Sequence, residues 1–176
     1  SLVGSEMCIR DSYMISEARK KRVNDIFKLN GNVYAFDSTT IDLCLKLFPW
    51  ANFRTHKGGI KIHTLYDVET QVPAFVHITE AKINDVKAMD VIPYESGSFY
   101  VFDRAYNDYH RLYKIHMMDS FFVVRAKTNI KAKVLKWKRR LPKNILSDCE
   151  IELTGFYTQK SYPETVSYTH LTLPTT

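Results

Sequence analysis

Two stretches, Val33-Tyr-Ala-Phe-Asp-Ser-Thr-Thr40 and Ser98-Phe-Tyr-Val-Phe-Asp-Arg-Ala105, decide the fold. Each is a short apolar, aromatic-rich run that ends on an aspartate, Asp37 in the first and Asp103 in the second. Val, Phe and Tyr fit the pleated surface of a sheet and polar turn residues bound both runs, so each reads as a buried strand. Carboxylates delivered at the C-terminal ends of neighbouring strands can hold divalent cations. In a two-metal site, cations roughly 4 Å apart activate an attacking oxygen and stabilise a leaving one on phosphate. The pair therefore points to phosphodiester chemistry.

Working outward, residues 14–28 carry Ile15, Ala18, Val23, Ile26 and Phe27 among charges, which predicts a short helix running to the Asn30-Gly31 turn. Asp42–Phe48 is leucine-rich at mixed spacing and predicts a helical turn stopped by Pro49; Thr55–Gly59 reads as a loop. Ile60-Lys-Ile-His-Thr-Leu-Tyr66 alternates apolar and polar residues, and Asp67–Thr70 turns it into a second strand at Val72–Thr79. Asn84 or Asp85 caps a helix over 84–89, and an amphipathic helix is expected over Asn107–Met118, with Leu112, Ile115 and Met118 at helical spacing. Phe121–Val124 is a buried strand. This order gives an α/β fold: three strands that can pair antiparallel, followed by right-handed parallel crossovers. It is the order of a ribonuclease-H-like mixed sheet flanked by helices, in which the first and fourth strands lie side by side. Asp37 and Asp103 then meet although 66 positions separate them.

The 176 residues, 45% hydrophobic and 13% aromatic, are enough for one domain with a core. No stretch approaches the roughly 20 apolar residues that span a bilayer, so the chain reads as cytoplasmic. Cys8, Cys44 and Cys149 are odd in number and show no Cys-x-x-Cys pair, which supports neither a disulfide framework nor a zinc site. The net charge of +6 comes from one block. Lys127, Lys131, Lys133, Lys136, Lys138, Arg139, Arg140 and Lys143 occur with no acid between them, while the remaining 17 basic residues face 19 acidic ones. Such a block favours a polyanion, and Trp137 within it can stack on a base or cover a sugar. The plainer reading is a solvated, charged strand pair or helix face.

Phe36-Asp-Ser-Thr39, His56-Lys-Gly-Gly-Ile-Lys-Ile-His63 and Phe102-Asp-Arg-Ala-Tyr106 together resemble the IS4 family of insertion-sequence transposases, which use a DDE triad. The resemblance runs from about Val33 to Asn129 and continues toward Glu164. It implies that Asp37 and Asp103 are the first two catalytic carboxylates, binding Mg²⁺ or Mn²⁺. In such enzymes the metals serve to cut transposon ends and to join the freed 3′-hydroxyl to target DNA. It also implies double-stranded DNA as partner, a homodimer in the full-length enzyme, and association with the nucleoid. Lys57, Lys61, His63, Arg104 and Tyr106, with Lys136, Trp137, Lys138, Arg139 and Arg140 of the basic block, are the candidate DNA contacts.

The family's third carboxylate is a glutamate in a helical Tyr-x-x-Arg-x-x-x-Glu signature that follows a β-rich insertion. Tyr157, Lys160 and Glu164 match the spacing, but Pro163 disfavours a helix there and Leu171 stands where a lysine belongs. Glu164 is thus expected to be a decoy, with Cys149–Tyr157 a strand of the insertion and the true glutamate beyond this chain. The sequence divides into residues 13–129 as a partial catalytic domain and 130–165 as the basic segment and start of the insertion. Residues 1–12 and 166–176 resemble translated sequencing-adaptor DNA and are expected to be artefactual. The fragment alone is expected to be inactive. Two other readings compete: a non-catalytic DNA-binding module whose aspartates cap turns, and a cellular nuclease of the same fold.

Overall fold

A computed structural model describes residues 13–20, 27, 29–43, 52–54 and 57–171, with the backbone alone for 52–54, 57 and 171. Residues 13–20 are helical (α1), and the rest of the helix expected to residue 28 lies almost wholly outside the described residues. The chain then forms β1 (Val33–Leu43), β2 (Asn52–Arg54), β3 (Lys57–Asp67) and β4 (Val72–Glu80). A 3₁₀ helix η1 (Asp85–Val91), β5 (Phe99–Phe102), a 3₁₀ turn η2 (Arg104–Tyr106), α2 (Tyr109–Met117) and β6 (Phe121–Val124) follow. The final elements are β7 (Ala132–Trp137), β8 (Ile145–Leu153), α3 (Phe156–Ser161) and β9 (Val166–Leu171). Two compact units result. One holds the residues up to Asn107 with Lys114–Arg125, the other Asp108–Tyr113 with Ala126 onward.

The first unit is a mixed sheet in the order β2-β3-β1-β5-β6, with β4 also paired to β3. β1 is antiparallel to β3 and parallel to β5, and β5 is parallel to β6. This is the ribonuclease-H-like arrangement. The register Phe36↔Phe102 ends the β1/β5 ladder one residue before each aspartate.

Alternation along the strands gives the sheet two unlike faces. On one face Tyr34, Phe36, His63, Leu65, Tyr100 and Phe102 are all buried. Buried Tyr106, Met89 and Ile115 complete the core. Tyr106 meets Phe36 edge-on at 5.2 Å and Phe102 at 6.0 Å. Removing any of these buried rings costs about 3–5 kcal/mol. On the other face Tyr66, Val76, Ile78, Val101, Phe121 and Val123 are largely exposed.

Several local expectations are corrected. The strand from Val33 runs to Leu43, so Asp42 lies in β1 instead of a helical turn, and residues 44–48 lie outside the described residues. Gly58 and Gly59 belong to β3, paired with Leu43 and Asp42, where they were read as loop; Thr55 and His56 lie outside the described residues. The segment after Asn84 winds as 3₁₀, with the Asn84 carboxamide accepting the Val86 N–H at 3.1 Å. Seven residues with Pro93 just beyond leave little room for an α-helix.

In the second unit β7-β8-β9 form an antiparallel sheet. Cys149, Ile151 and Leu153 alternate inward on β8, and Cys149 is a free thiol. The strand expected to reach Tyr157 ends at Leu153, because Thr154-Gly155 turns the chain and Phe156 starts α3. Residues 166–171, expected to lie outside the fold, pair with β8. Val-Ser-Tyr-Thr-His-Leu is β-branched and aromatic at period two, which suits an edge strand.

Gly31 fixes where β1 starts. Its φ of +153° suits glycine, and a Cβ there would stand 2.0 Å from the Gly97 carbonyl oxygen. Gly31→Ala should lower stability by at least about 2 kcal/mol, read as a drop in the urea midpoint with unchanged m-value.

Candidate active site

The β1/β5 pairing sets the site. Past Phe36↔Phe102, Asp37 and Asp103 occupy equivalent positions on two adjacent parallel strands and both are exposed. Strand alternation sends them toward the sheet face opposite Phe36 and Phe102. The Asp37 carboxylate is held by its own neighbour: Oδ1 accepts the Ser38 N–H at 2.7 Å. Asp103 follows β5 in extended conformation, φ −74° and ψ 169°, and opens η2 without a side-chain cap bond.

Two exposed carboxylates at adjacent strand ends are hard oxygen donors, and a carboxylate with one oxygen engaged still has lone pairs to give. Mg²⁺ is commonly bound by one or two carboxylates plus water and substrate phosphate, so the donor set fits it. Among the described residues no group of three His, Cys, Asp or Glu side chains has metal-binding geometry.

On the covered face, directly behind Asp37, lies a polar cluster. Ser38 Oγ donates to Asp85 Oδ1 at 3.0 Å, and Lys61 Nζ sits 3.0 Å from the same oxygen while donating to the Ile83 carbonyl at 2.8 Å. Tyr106 closes this cluster from below. Its hydroxyl is buried, with Ser38 committed to Asp85, and its pKa is pushed up to about 12. Burial is the main cause; Ser38 offsets part of it, and the charges of Asp85, Asp37 and Asp103 add to it.

The family model described as "Transposase DDE domain" matches residues 29–171. The chain belongs to this family. One relative of the transposase domain is y4zB of Sinorhizobium fredii, a transposase by assignment, 38% identical over 103 residues. That stretch is 58% of this chain and 29% of the relative. Another is the transposase assigned to insertion sequence element IS5377 of Geobacillus stearothermophilus, 31% identical over 105 residues, 60% of this chain and 28% of the relative. The chain thus spans less than a third of the length of the curated relatives it matches.

Within this transposase domain the expected DNA contacts fall into different places. His63 is fully buried, its ring stacked 6.2 Å from Phe36 and its Nε2 2.9 Å from Thr79 Oγ1. It cannot face phosphate there. Tyr106 is likewise core, at 1% exposure. Lys61 is only 15% exposed and its charge is committed to Asp85. For Lys57 the backbone alone is described, in β3. Arg104 is half-buried beside Asp103, and its Nε is buried without a hydrogen-bond partner.

All of β7 is exposed, yet its lysines are not a bare cationic stripe. The register sets Lys133 opposite Glu152 and Lys136 opposite Glu150, and Lys138 bonds Asp148 at 2.8 Å. Such cross-strand pairs are the charged strand pair of the plainer reading. Arg139, Arg140 and Lys143 are exposed in the connection to β8. Trp137, 60% exposed, lines an open hollow with Val134, Cys149, Ile151 and Tyr168. Glu164 stands in an exposed bend after α3, not on a helix.

Sequence reasoning missed Asp85 as a site neighbour because its partner Ser38 is 47 positions away. Lys61 and His63, offered as DNA contacts at the polar positions of β3, lie on its covered face. The alternation was right, but the face of His63 and Leu65 is the buried one and that of Ile60 and Ile62 is half-exposed.

Burial holds the pKa of His63 below its ordinary 6.5, with Asp85 opposing and His77 and Lys61 reinforcing. The folded state therefore favours neutral imidazole. Its contribution is fully present above pH 6.5 and is lost as pH falls toward the lowered folded-state value, because only the unfolded chain then takes up the proton. Thermal melts from pH 8 to 5 should show this acid loss, and His63→Gln should flatten it.

Proposed function

We propose that this domain is the catalytic core of an IS4-type insertion-sequence transposase that cuts DNA at the element's ends and joins them to target DNA. The observation that supports this most directly is the placement of Asp37 and Asp103 side by side past the Phe36↔Phe102 pair, in a chain of the transposase DDE family. When bound there, Mg²⁺ or Mn²⁺ would supply activation of the attacking oxygen and stabilisation of the leaving one. Asp37 and Asp103 would hold the cation, and the aromatic floor behind them would keep both strand ends fixed. Arg104, half-buried beside Asp103, would bring the exposed part of its guanidinium to a phosphate oxygen.

DNA would also meet the cations of the β7–β8 connection. Arg139, Arg140 and Lys143 lie outside the paired register that sets Lys133 and Lys136 opposite Glu152 and Glu150, and Trp137 beside them is exposed enough to stack on a base. We assign a homodimer on paired transposon ends to the full-length enzyme, acting at the nucleoid in the cytoplasm. No helix among the described residues is long and apolar enough to cross a membrane.

Asp37→Asn and Asp103→Asn in the full-length transposase should each abolish Mg²⁺-dependent nicking and strand transfer of a labelled transposon end. Retained joining in either variant would sink the metal-site assignment, and cleavage by the native enzyme without joining would favour a nuclease. A second measurement addresses the basic connection. Replacing Arg139, Arg140 and Lys143 by Ala should lower the slope of log K against log salt by up to about 3 for duplex DNA. The pair Lys133→Ala and Lys136→Ala should change it by less than 1 if their charges are spent on Glu152 and Glu150.

A further inference from the structure

Asp37 and Ser38 stand on opposite faces of the sheet, joined by one peptide unit. Asp37 projects to the open face, whereas Ser38, the next residue, projects to the covered face, where its hydroxyl donates to Asp85 Oδ1 at 3.0 Å. The peptide between them carries the N–H that holds Asp37 Oδ1 at 2.7 Å. Asp85 is itself braced. Lys61 Nζ contacts the same oxygen at 3.0 Å and reaches the Ile83 carbonyl at 2.8 Å, so one cation ties the Asp85 carboxylate to the backbone just before η1. At 27% and 15% side-chain exposure, Asp85 and Lys61 are sheltered enough to keep a fixed geometry. η1 also packs on η2, the turn that follows Asp103.

We propose that Asp85, braced by Lys61, is a positioning residue for the metal-binding carboxylate of Asp37, acting through Ser38. This rests on the metal-site reading above. The chain of contacts runs Lys61, Asp85, Ser38 Oγ, Ser38 N–H, Asp37. Asp85 spends its acceptor oxygen and its charge on Ser38 and Lys61, which makes it a strut behind the site and not a ligand in it. Partners of this outer kind set the orientation of the groups that touch the metal, and their loss costs 10–100-fold in metal affinity.

The test is Mn²⁺ binding to this chain, followed by calorimetry and by the Mn²⁺ electron paramagnetic resonance signal, with thermal melts of the metal-free proteins alongside. Ser38→Ala keeps the backbone N–H and the Lys61–Asp85 pair and removes only the link; it should weaken Mn²⁺ about 10-fold. Asp85→Ala should do the same, and the double variant should be no weaker than either single, because both break one chain. Asp85→Asn still accepts from Ser38 and should recover most of the affinity. Unchanged affinity in Ser38→Ala, whatever the melting temperature, overturns the proposal, as do additive losses in the double variant. Loss of Mn²⁺ in Asp85→Asn with full retention in Ser38→Ala would make Asp85 a ligand and also overturn it. Asp37→Asn is the reference: if it binds Mn²⁺ normally, the metal site itself is wrong, whereas its loss beside an unaffected Ser38→Ala condemns only the strut.

Discussion

The parallel pairing of β1 with β5 is the constraint on which the rest depends. It joins segments 66 residues apart, so its loop-closure cost must be met before any contact at the site can form. What offsets that cost is the aromatic layer beneath it. Tyr34 stacks on Tyr100 at 5.2 Å, and Phe36 meets Phe102 edge-on at 6.1 Å, with Tyr106 closing against both phenylalanines. Because Phe36 and Phe102 immediately precede Asp37 and Asp103, the packing that stabilises the sheet also sets the register that brings the two aspartates together.

The two ends of that ladder are treated oppositely. At the start of the strands charges are tied up: Asp67 is buried, accepts the N–H groups of Glu69 and Thr70 at 3.1 Å and lies 3.5 Å from Arg19 Nε. Arg19 also contacts Tyr34 and Glu95, and Tyr34 donates to Glu95 at 2.8 Å; burial above all, and then this bond, push the tyrosine pKa far up. At the far end the carboxylates are left exposed. A sheet whose polar groups were satisfied equally at both ends would gain stability and leave no carboxylate free at the strand ends. The asymmetry is the usual separation of a stabilising end from a chemical end in sheets with parallel strands.

Much of this was legible from sequence because it is local. The aromatic runs, the alternation at Ile60–Tyr66, the amphipathic segment around Leu112 and Ile115, and the strand-end aspartates each follow from residue type and period. The order of elements then restricted the topology to one with β1 beside β5. What could not be read was which face of β3 is buried. Ile60 and Ile62 look like the inward set, but the inward positions belong to His63 and Leu65, since Phe36 supplies a ring on which a neutral histidine can stack while it meets Thr79. A hydrophobic pattern gives the period of a strand; the neighbours decide its face. The Ser38–Asp85 bond was hidden for the same reason, as a contact between distant segments with no signature in either.

The basic block shows the same limit in charge rather than packing. Counted along the chain, Lys127 to Lys143 is a run of eight cations without an acid, which is the pattern of a polyanion site. Folded into a hairpin, the run meets Asp148, Glu150 and Glu152 on the next strand, and its central lysines become half of a cross-strand ladder. Opposite charges at that separation stabilise the hairpin by a few tenths of a kcal/mol per pair and leave correspondingly less field for a phosphate. The cations that keep their reach are those the register does not match, in the turn from Arg139 to Lys143. Polyanion affinity in such a segment is therefore set less by how many lysines it contains than by where its strand pairing ends.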